Sequence, residues 1–314
     1  VPDDLRDRAR RAAVAVQDAV TNDLRYHRTS RLLIVADDAV LVDDRYRDPG
    51  AEHVFSVTKS VLATVLGVIA GREGLPSLEA PVSDVLAELR GTPSAGQTWR
   101  QLLTMTRGAV TDGTWEIDAV NGLPSGQVAH LARAPQVSPP GEQFGYDNGA
   151  AHLLSAAAAE HVGVSVADYA ERHLFAPLGI EGARWAHDPD GIAQGADGLQ
   201  LSADGVAAIG RLWLGAGRHH GHELVEQGFL EAMTSRQNDG GPPEDVPYGF
   251  LTWLPPGLVM AAGWAGQHLL VDRSRRLVVV VTTDAGFRPG PPPIDAMPQD
   301  WRPAVELVRP VLFG

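Results

Sequence analysis

Apolar positions change period several times along this chain, and each change marks a predicted element. Over residues 4–29, Leu5, Ala9, Ala12, Val16 and Val20 recur among arginines and aspartates at the spacing of an amphipathic helix. Two β-branched runs follow, 31–36 and 39–42, with Asp37-Asp38 between them, which predicts a hairpin. The run from Val61 to Ala70 is apolar on all sides and predicts a buried helix that begins at Ser56 and ends near Gly71. From Leu75 to about residue 195, short helices are predicted around 82–90, 98–106, 125–134, 149–162 and 165–175, separated by Pro, Gly and Asp turns. Residues 202–215 add a helix with Ser202 as its N-cap. Strands are predicted at 248–254, 258–262, 267–271 and 277–282, then a Pro-rich loop at 288–298 and a last helix at 302–312. The short links between strands favour antiparallel pairing. The expected fold is α/β (α+β). An antiparallel sheet with helices on both faces is formed by residues 1–74 and 196–314, and a mostly helical domain, 75–195, is inserted. The groove between the two is the expected site.

Composition narrows the function. A net charge of −13 argues against nucleic acid or an anionic membrane as partner, and no apolar run reaches the length of a membrane span. The chain has no cysteine, which removes disulfides, thiol catalysis and Cys-ligated zinc. Val1-Pro2-Asp3-Asp4 carries no leader pattern, so the expectation is a cytoplasmic protein or an exported one whose signal peptide is gone. The Arg/Ala/Gly-rich composition points to a high-GC bacterium.

Among 26 Lys and Arg residues, Lys59 is the only lysine. It stands three positions after Ser56, on the same helical face. A buried lysine can release its proton and act as a base, whereas arginine stays charged. The helix start also favours an oxygen gaining negative charge. Ser-x-x-Lys by itself equally fits a lysine snorkelling to water. Gly145-Tyr146-Asp147-Asn148-Gly149 lies in a turn before an Ala-rich helix. Tyr146 there is a candidate base and Asn148 a candidate partner of Lys59 or of a substrate amide. The other reading makes Tyr146 packing and Asp147 or Asn148 an N-cap. Gly263-Trp264-Ala265-Gly266-Gln267 enters a strand whose edge N–H, with that of Ser56, would form an oxyanion hole; the other reading is a simple bend. His219-His220-Gly221-His222-Glu223 matches no metal-ligand spacing and is expected to be a solvated loop. There is no G-x-S-x-G elbow and no phosphate-binding glycine motif. No metal or cofactor is expected.

Ser-x-x-Lys, then Tyr-x-Asn, then a Gly-containing motif on a late strand resembles the serine β-lactamase and penicillin-binding-protein superfamily. Its nearest branch is similar to class C β-lactamases, their esterase relatives, transacylases and 6-aminohexanoate-dimer hydrolases. Trp99–Thr106, Pro140–Tyr146, Leu174–Gly179, Gly74–Val82 and Tyr248–Leu251 fit that branch, and the likeness spans roughly residues 31–285. The resemblance implies a β-lactamase/transpeptidase-like fold with Ser56 as acylated nucleophile, Lys59 as base or relay and Tyr146 as second base. Asn148 would position substrate or lysine, and the N–H groups of Ser56 and Gln267 would hold the oxyanion. Trp115 and Glu116 lie where relatives build the pocket rim, or serve as plain surface. Trp264, with Gly266 in the same motif, departs from penicillin-recognising members, which carry Lys or His at the motif's first position. Tryptophan cannot pair with a carboxylate, so the expected substrate is a small ester or amide of low negative charge, and a β-lactamase or DD-peptidase is disfavoured. No counterpart of the class A deacylating glutamate is found, which leaves water activation to Tyr146 and Lys59. Acyl transfer to an amine or alcohol is the alternative to hydrolysis, and a binding domain without turnover is the last option.

Overall fold

The computed structural model describes residues 1–47, 50–286 and 300–314. Five strands form one antiparallel sheet in the order Val259–Gly263, Gln267–Asp272, Leu277–Thr283, Thr29–Ala36, Ala39–Arg45. The N-terminal hairpin thus completes a sheet begun by the C-terminal meander, with Leu32 opposite Val281 and Ile34 opposite Val279. Thr29–Ala36, Gln267–Asp272 and Leu277–Thr283 are buried along their whole lengths. A strand covered on both faces loses the usual apolar–polar alternation, which is why Val278 to Val281 is an unbroken apolar run.

Helices supply the cover. Asp3–Asn22 lays Leu5, Ala9, Ala12 and Val16 against the sheet and packs beside the last helix, Val305–Phe313. Ala203–Leu214 and Val57–Arg72 pack on the sheet as well. Val57–Arg72 is buried from Val57 to Ile69 on all sides, as its uniformly apolar sequence requires. It also touches Asn148–Val162 and Gln227–Met233, so it stands between the sheet and the helical part of the chain.

Several elements differ from the sequence expectation. The first helix stops at Asn22 rather than near 29, because Asp23 leaves the helical region and its carboxylate accepts the Arg25 N–H in a local turn. The segment 82–90 forms two 3-10 turns, Val82–Asp84 and Ala87–Leu89. The predicted strand 248–254 is a short strand, Val246–Tyr248, followed by a buried irregular segment. There Phe250 and Leu251 donate their N–H groups to Met233 and Leu103, and Trp253 alone bridges to Met260. Apolar content at 248–254 reflects burial between layers rather than strand pairing. The histidine loop is a small hairpin, Arg218–His219 against His222–Glu223. Among the described residues no group of three or more His, Cys, Asp or Glu is placed to hold a metal ion, and no helix is long and apolar enough to cross a membrane. The Pro-rich 288–298 loop lies outside the described residues.

Ile34 is fully buried in the sheet centre. Ile34→Ala is expected to cost about 2–5 kcal/mol in a denaturant titration, with little change in slope.

Candidate active site

Ser56 immediately precedes the Val57–Arg72 helix, with φ −66° and ψ −7°. Its hydroxyl makes no capping bond to the helix. Instead, Lys59 Nζ, one helical turn on, donates to Ser56 Oγ at 2.8 Å. The i, i+3 spacing alone brings these two groups onto one face. Phe55, just before the serine, is held at φ +46°, a left-handed conformation that a non-glycine residue rarely adopts. The tight turn around it is closed by Val57 N–H to Val54 O and Thr58 N–H to Phe55 O. The Ser56 N–H itself reaches no acceptor among the described residues.

Lys59 is 2 % exposed. A second N–H donates to the Ala196 carbonyl at 2.8 Å, and the ammonium lies 4.9 Å from the centre of the Tyr146 ring. Three segments distant in sequence therefore converge on one nitrogen. Tyr146 presents its ring face to Lys59, stacks on Trp253 at 5.6 Å, and makes no side-chain hydrogen bond among the described residues. Ser56 and Lys59 are thus hydrogen-bonded, while Tyr146 meets the lysine through its π face.

The Tyr146 turn is fixed from behind. Arg107 and Asp147, both buried, form an ion pair through Nε, with Nη2 to Oδ1 at 3.4 Å. Asp147 is also the N-cap of Asn148–Val162, accepting the Ala150 N–H at 3.0 Å. The cap is therefore Asp147 and not Asn148. Asn148 makes no side-chain bond to Lys59; it lines a narrow crevice with Trp115, His152 and Gln194. Trp115 stacks on His130 at 5.6 Å, and Glu116 caps the short helix Ile117–Asn121.

The late-strand motif lies on the other side of Ser56. A side chain at Gly263 would collide with the Val54 carbonyl and approach the Ser56 nitrogen to 3.3 Å, so only glycine lets this strand lie against the serine turn. Trp264, Ala265 and Gly266 then make a tight turn, with Ala265 at φ +63° and Gly266 at φ +87°. Gln267 starts the next strand opposite Gly263. Its side chain donates to Thr283 O at 2.6 Å and accepts from Thr283 N–H at 3.3 Å, tying the motif to the neighbouring strand. Trp264 is 46 % exposed and meets Phe55 edge-on at 5.1 Å, with Trp301 beyond it.

A cavity of about 390 Å³ opens beside Phe144, between Glu142 and the segment Arg236–Gly240. It lies one aromatic layer from Tyr146, since Phe144 packs on Trp253; Ser56 and Lys59 do not line it. The sequence analysis did not single out Ala196, whose carbonyl meets Lys59, or Arg107, which holds the Asp147 turn. Only the Asp/Gly-rich composition of 188–198 marked that loop, and composition does not say which carbonyl faces a lysine.

This architecture, an antiparallel sheet flanked by helices with a helical insert and a Ser-x-x-Lys turn at their junction, defines a β-lactamase/transpeptidase-like fold. The β-lactamase family model matches residues 6–298, and the chain belongs to that family. Similar solved structures include EstCE1, described as a hydrolase with promiscuous acyltransferase activity (16 % identity, TM-score 0.78, all of both chains). A second is a 6-aminohexanoate-dimer hydrolase named as such for Bacillus anthracis (19 %, TM-score 0.75, 95 % of this chain and 80 % of that one). A third is SurE with D-Leu (21 %, TM-score 0.75, 98 % and 76 %). No curated protein matches the chain.

Two outcomes are expected from this geometry. Arg107→Met leaves the buried Asp147 without its partner and should destabilise the fold by about 3–5 kcal/mol, with part of the loss recovered in Arg107→Met/Asp147→Asn, as measured by denaturant titration. His268, beside Gln267, is buried, and desolvation pushes its pKa down to about 4, so the folded imidazole is neutral. The unfolded chain takes up that proton below about 6.5, the ordinary value. Stability should therefore fall as pH drops from about 6.5 towards 4, and His268→Gln should reduce that slope by roughly 1–3 kcal/mol over the interval.

Proposed function

We propose that this chain is a serine hydrolase that opens an ester or amide through an acyl-enzyme at Ser56. The observation that carries the reading is the 2.8 Å contact between Lys59 Nζ and Ser56 Oγ at a serine not used as a helix cap. With Lys59 as the free amine, Oγ bonds to the substrate carbonyl carbon while its proton passes to Nζ. The carbonyl electron pair moves to oxygen, where the unengaged Ser56 N–H and the Gln267 N–H stabilise it. Collapse of this intermediate expels the alcohol or amine, which takes a proton from Lys59 or Tyr146. Water then attacks the acyl carbon, the same pair accepts its proton, and Ser56 leaves with a proton restored. Phe55 and Trp264 offer apolar surface beside the serine turn, which suits an acyl or leaving group without a carboxylate. Hydrolase and acyltransferase names among proteins of this fold support the class. Acyl transfer to an amine or alcohol uses the same intermediate, and the full mutual coverage with EstCE1 favours keeping it as the second reading.

The test is intact-mass spectrometry after mixing with a p-nitrophenyl acyl ester. The wild type should gain the acyl mass, and Ser56→Ala should not, with nitrophenol release lowered by at least about a thousandfold. Undiminished turnover by Ser56→Ala would end the proposal. An adduct that decays in water alone marks hydrolysis; one that persists until an amine is added marks transfer.

A further inference from the structure

Lys59 keeps its second acceptor, the Ala196 carbonyl, only while the loop before that carbonyl stays in place. Two side chains of the helix Asn148–Val162 tie the loop down, His152 and Ser155, which share one helical face. Ser155 Oγ donates to Ala193 O at 2.7 Å, and Gly195 N–H donates to His152 Nδ1 at 3.4 Å. Gly195 lies so close to the Ala151 carbonyl that a Cβ would collide with it, so the loop backbone rests directly on the helix. Gln194 is held from the far side: its N–H donates to Ala186 O at 2.9 Å, and its carbonyl accepts from Trp185 Nε1 at 2.8 Å. Among the described residues, the His152 bond is the last of these ties before Ala196. The same helix begins just after the Tyr146 turn, so two of the three groups around Lys59 are positioned by one element.

His152 and Asp188 are both buried, and His152 Nε2 lies 3.1 Å from Asp188 Oδ2. A ring nitrogen that accepts the Gly195 N–H carries no proton, so the imidazole proton belongs on Nε2, where the carboxylate accepts it. Asp188 is fixed in turn. Its Oδ1 accepts the N–H groups of Asp190 at 2.9 Å and Ile192 at 2.8 Å, which leaves Oδ2 for the imidazole. We infer that Asp188 and His152 are positioning residues for Lys59: Asp188 selects the imidazole tautomer whose free Nδ1 anchors Gly195, and that anchor keeps the Ala196 carbonyl on the lysine. The inference rests on the reading of Lys59 as the base of Ser56. In the ammonium form the carbonyl stabilises the charge. In the amine form an N–H held by the carbonyl leaves the lone pair aimed at Ser56 Oγ. Losing the anchor therefore lets the ammonium give up its proton at lower pH and misdirects the amine.

Because Lys59 is the only lysine, protein labelled with 13Cε-lysine gives one lysine signal to follow against pH, without any substrate. Three variants separate anchoring from packing. His152→Gln can still donate to Asp188 but presents no acceptor at the Nδ1 position. His152→Asn keeps an acceptor there and cannot reach Asp188. In Asp188→Asn the side-chain oxygen stays on the Asp190 and Ile192 N–H groups, which turns the NH2 towards His152 and drives the ring proton onto Nδ1. The lysine midpoint should fall by at least about half a pH unit in His152→Gln and Asp188→Asn, and stay near the wild type in His152→Asn. Tyr146 beside Lys59 and Asp197 after Ala196 are unchanged in all three. His152→Asn should nonetheless be less stable than His152→Gln in a denaturant titration, because it leaves a buried carboxylate without its donor. An unmoved or raised midpoint in His152→Gln and Asp188→Asn overturns the inference, as does an equal fall in His152→Asn. If the variants do not fold, the 15N histidine spectrum of the wild type decides: the ring in contact with the Gly195 amide should carry its proton on Nε2, and a proton on Nδ1 overturns the inference. A missing acyl adduct at Ser56 would instead count against the hydrolase reading, so the two failures are distinguishable. Where acylation is observed, it should slow in His152→Gln and Asp188→Asn and not in His152→Asn.

Discussion

A buried ammonium is the constraint on which this site depends. Withdrawing such a charge from water costs several kcal/mol unless its N–H groups meet acceptors. Lys59 meets Ser56 Oγ and the Ala196 carbonyl, and the electron-rich face of Tyr146 covers the remaining side. Satisfying that one nitrogen draws together the start of the Val57–Arg72 helix, the loop before residue 199 and the turn before Asn148–Val162. The Ser56 oxygen is one of the acceptors, so the need to stabilise the lysine and the chemistry proposed for it act on the same atoms.

The supporting structure is stiff because each of the three segments is held independently. The lysine's own helix is buried on all sides from Val57 to Ile69. The Tyr146 turn hangs from the Arg107–Asp147 pair, whose carboxylate also caps the following helix. The Ala196 loop is pinned by His152, Ser155 and Asp188. On the far side, Gly263 brings the late strand against the Val54–Ser56 turn, and Phe55 takes a strained backbone conformation in that turn. Strain of this kind persists only where the surroundings over-determine the backbone, and here strand, helix and loop all press on it.

Much of this was legible in the chain. The Ser56–Lys59 contact is local, because three residues along a helix return to the same face, and the absence of any other lysine drew attention to it. The all-round apolar run after it announced a buried helix, and β-branched runs with short links announced an antiparallel sheet. Other features were misread because burial and pairing leave the same apolar signature. Tyr248–Leu254 looked like a strand and is largely an irregular buried segment, with the Phe250 and Leu251 N–H groups satisfied by Met233 and Leu103. Of the two N-cap candidates, Asp147 and Asn148, it is Asp147 that caps, since its carboxylate can serve Arg107 and the Ala150 N–H together. Tyr146, a candidate base in the sequence, meets the lysine by its ring.

The sequence by itself determined most of the elements and the local Ser56–Lys59 pairing on which the proposed chemistry rests, because periodicity and short motifs encode local geometry. Only the tertiary structure decided what surrounds that chemistry. The Ala196 carbonyl lies 137 residues from Lys59, and Asp188, which meets His152, sits in a loop whose composition shows only turns. A carbonyl has no residue type, and an aspartate in a loop looks like any other in a list of letters. Their roles come from packing, which sets the distance and the dielectric between charges.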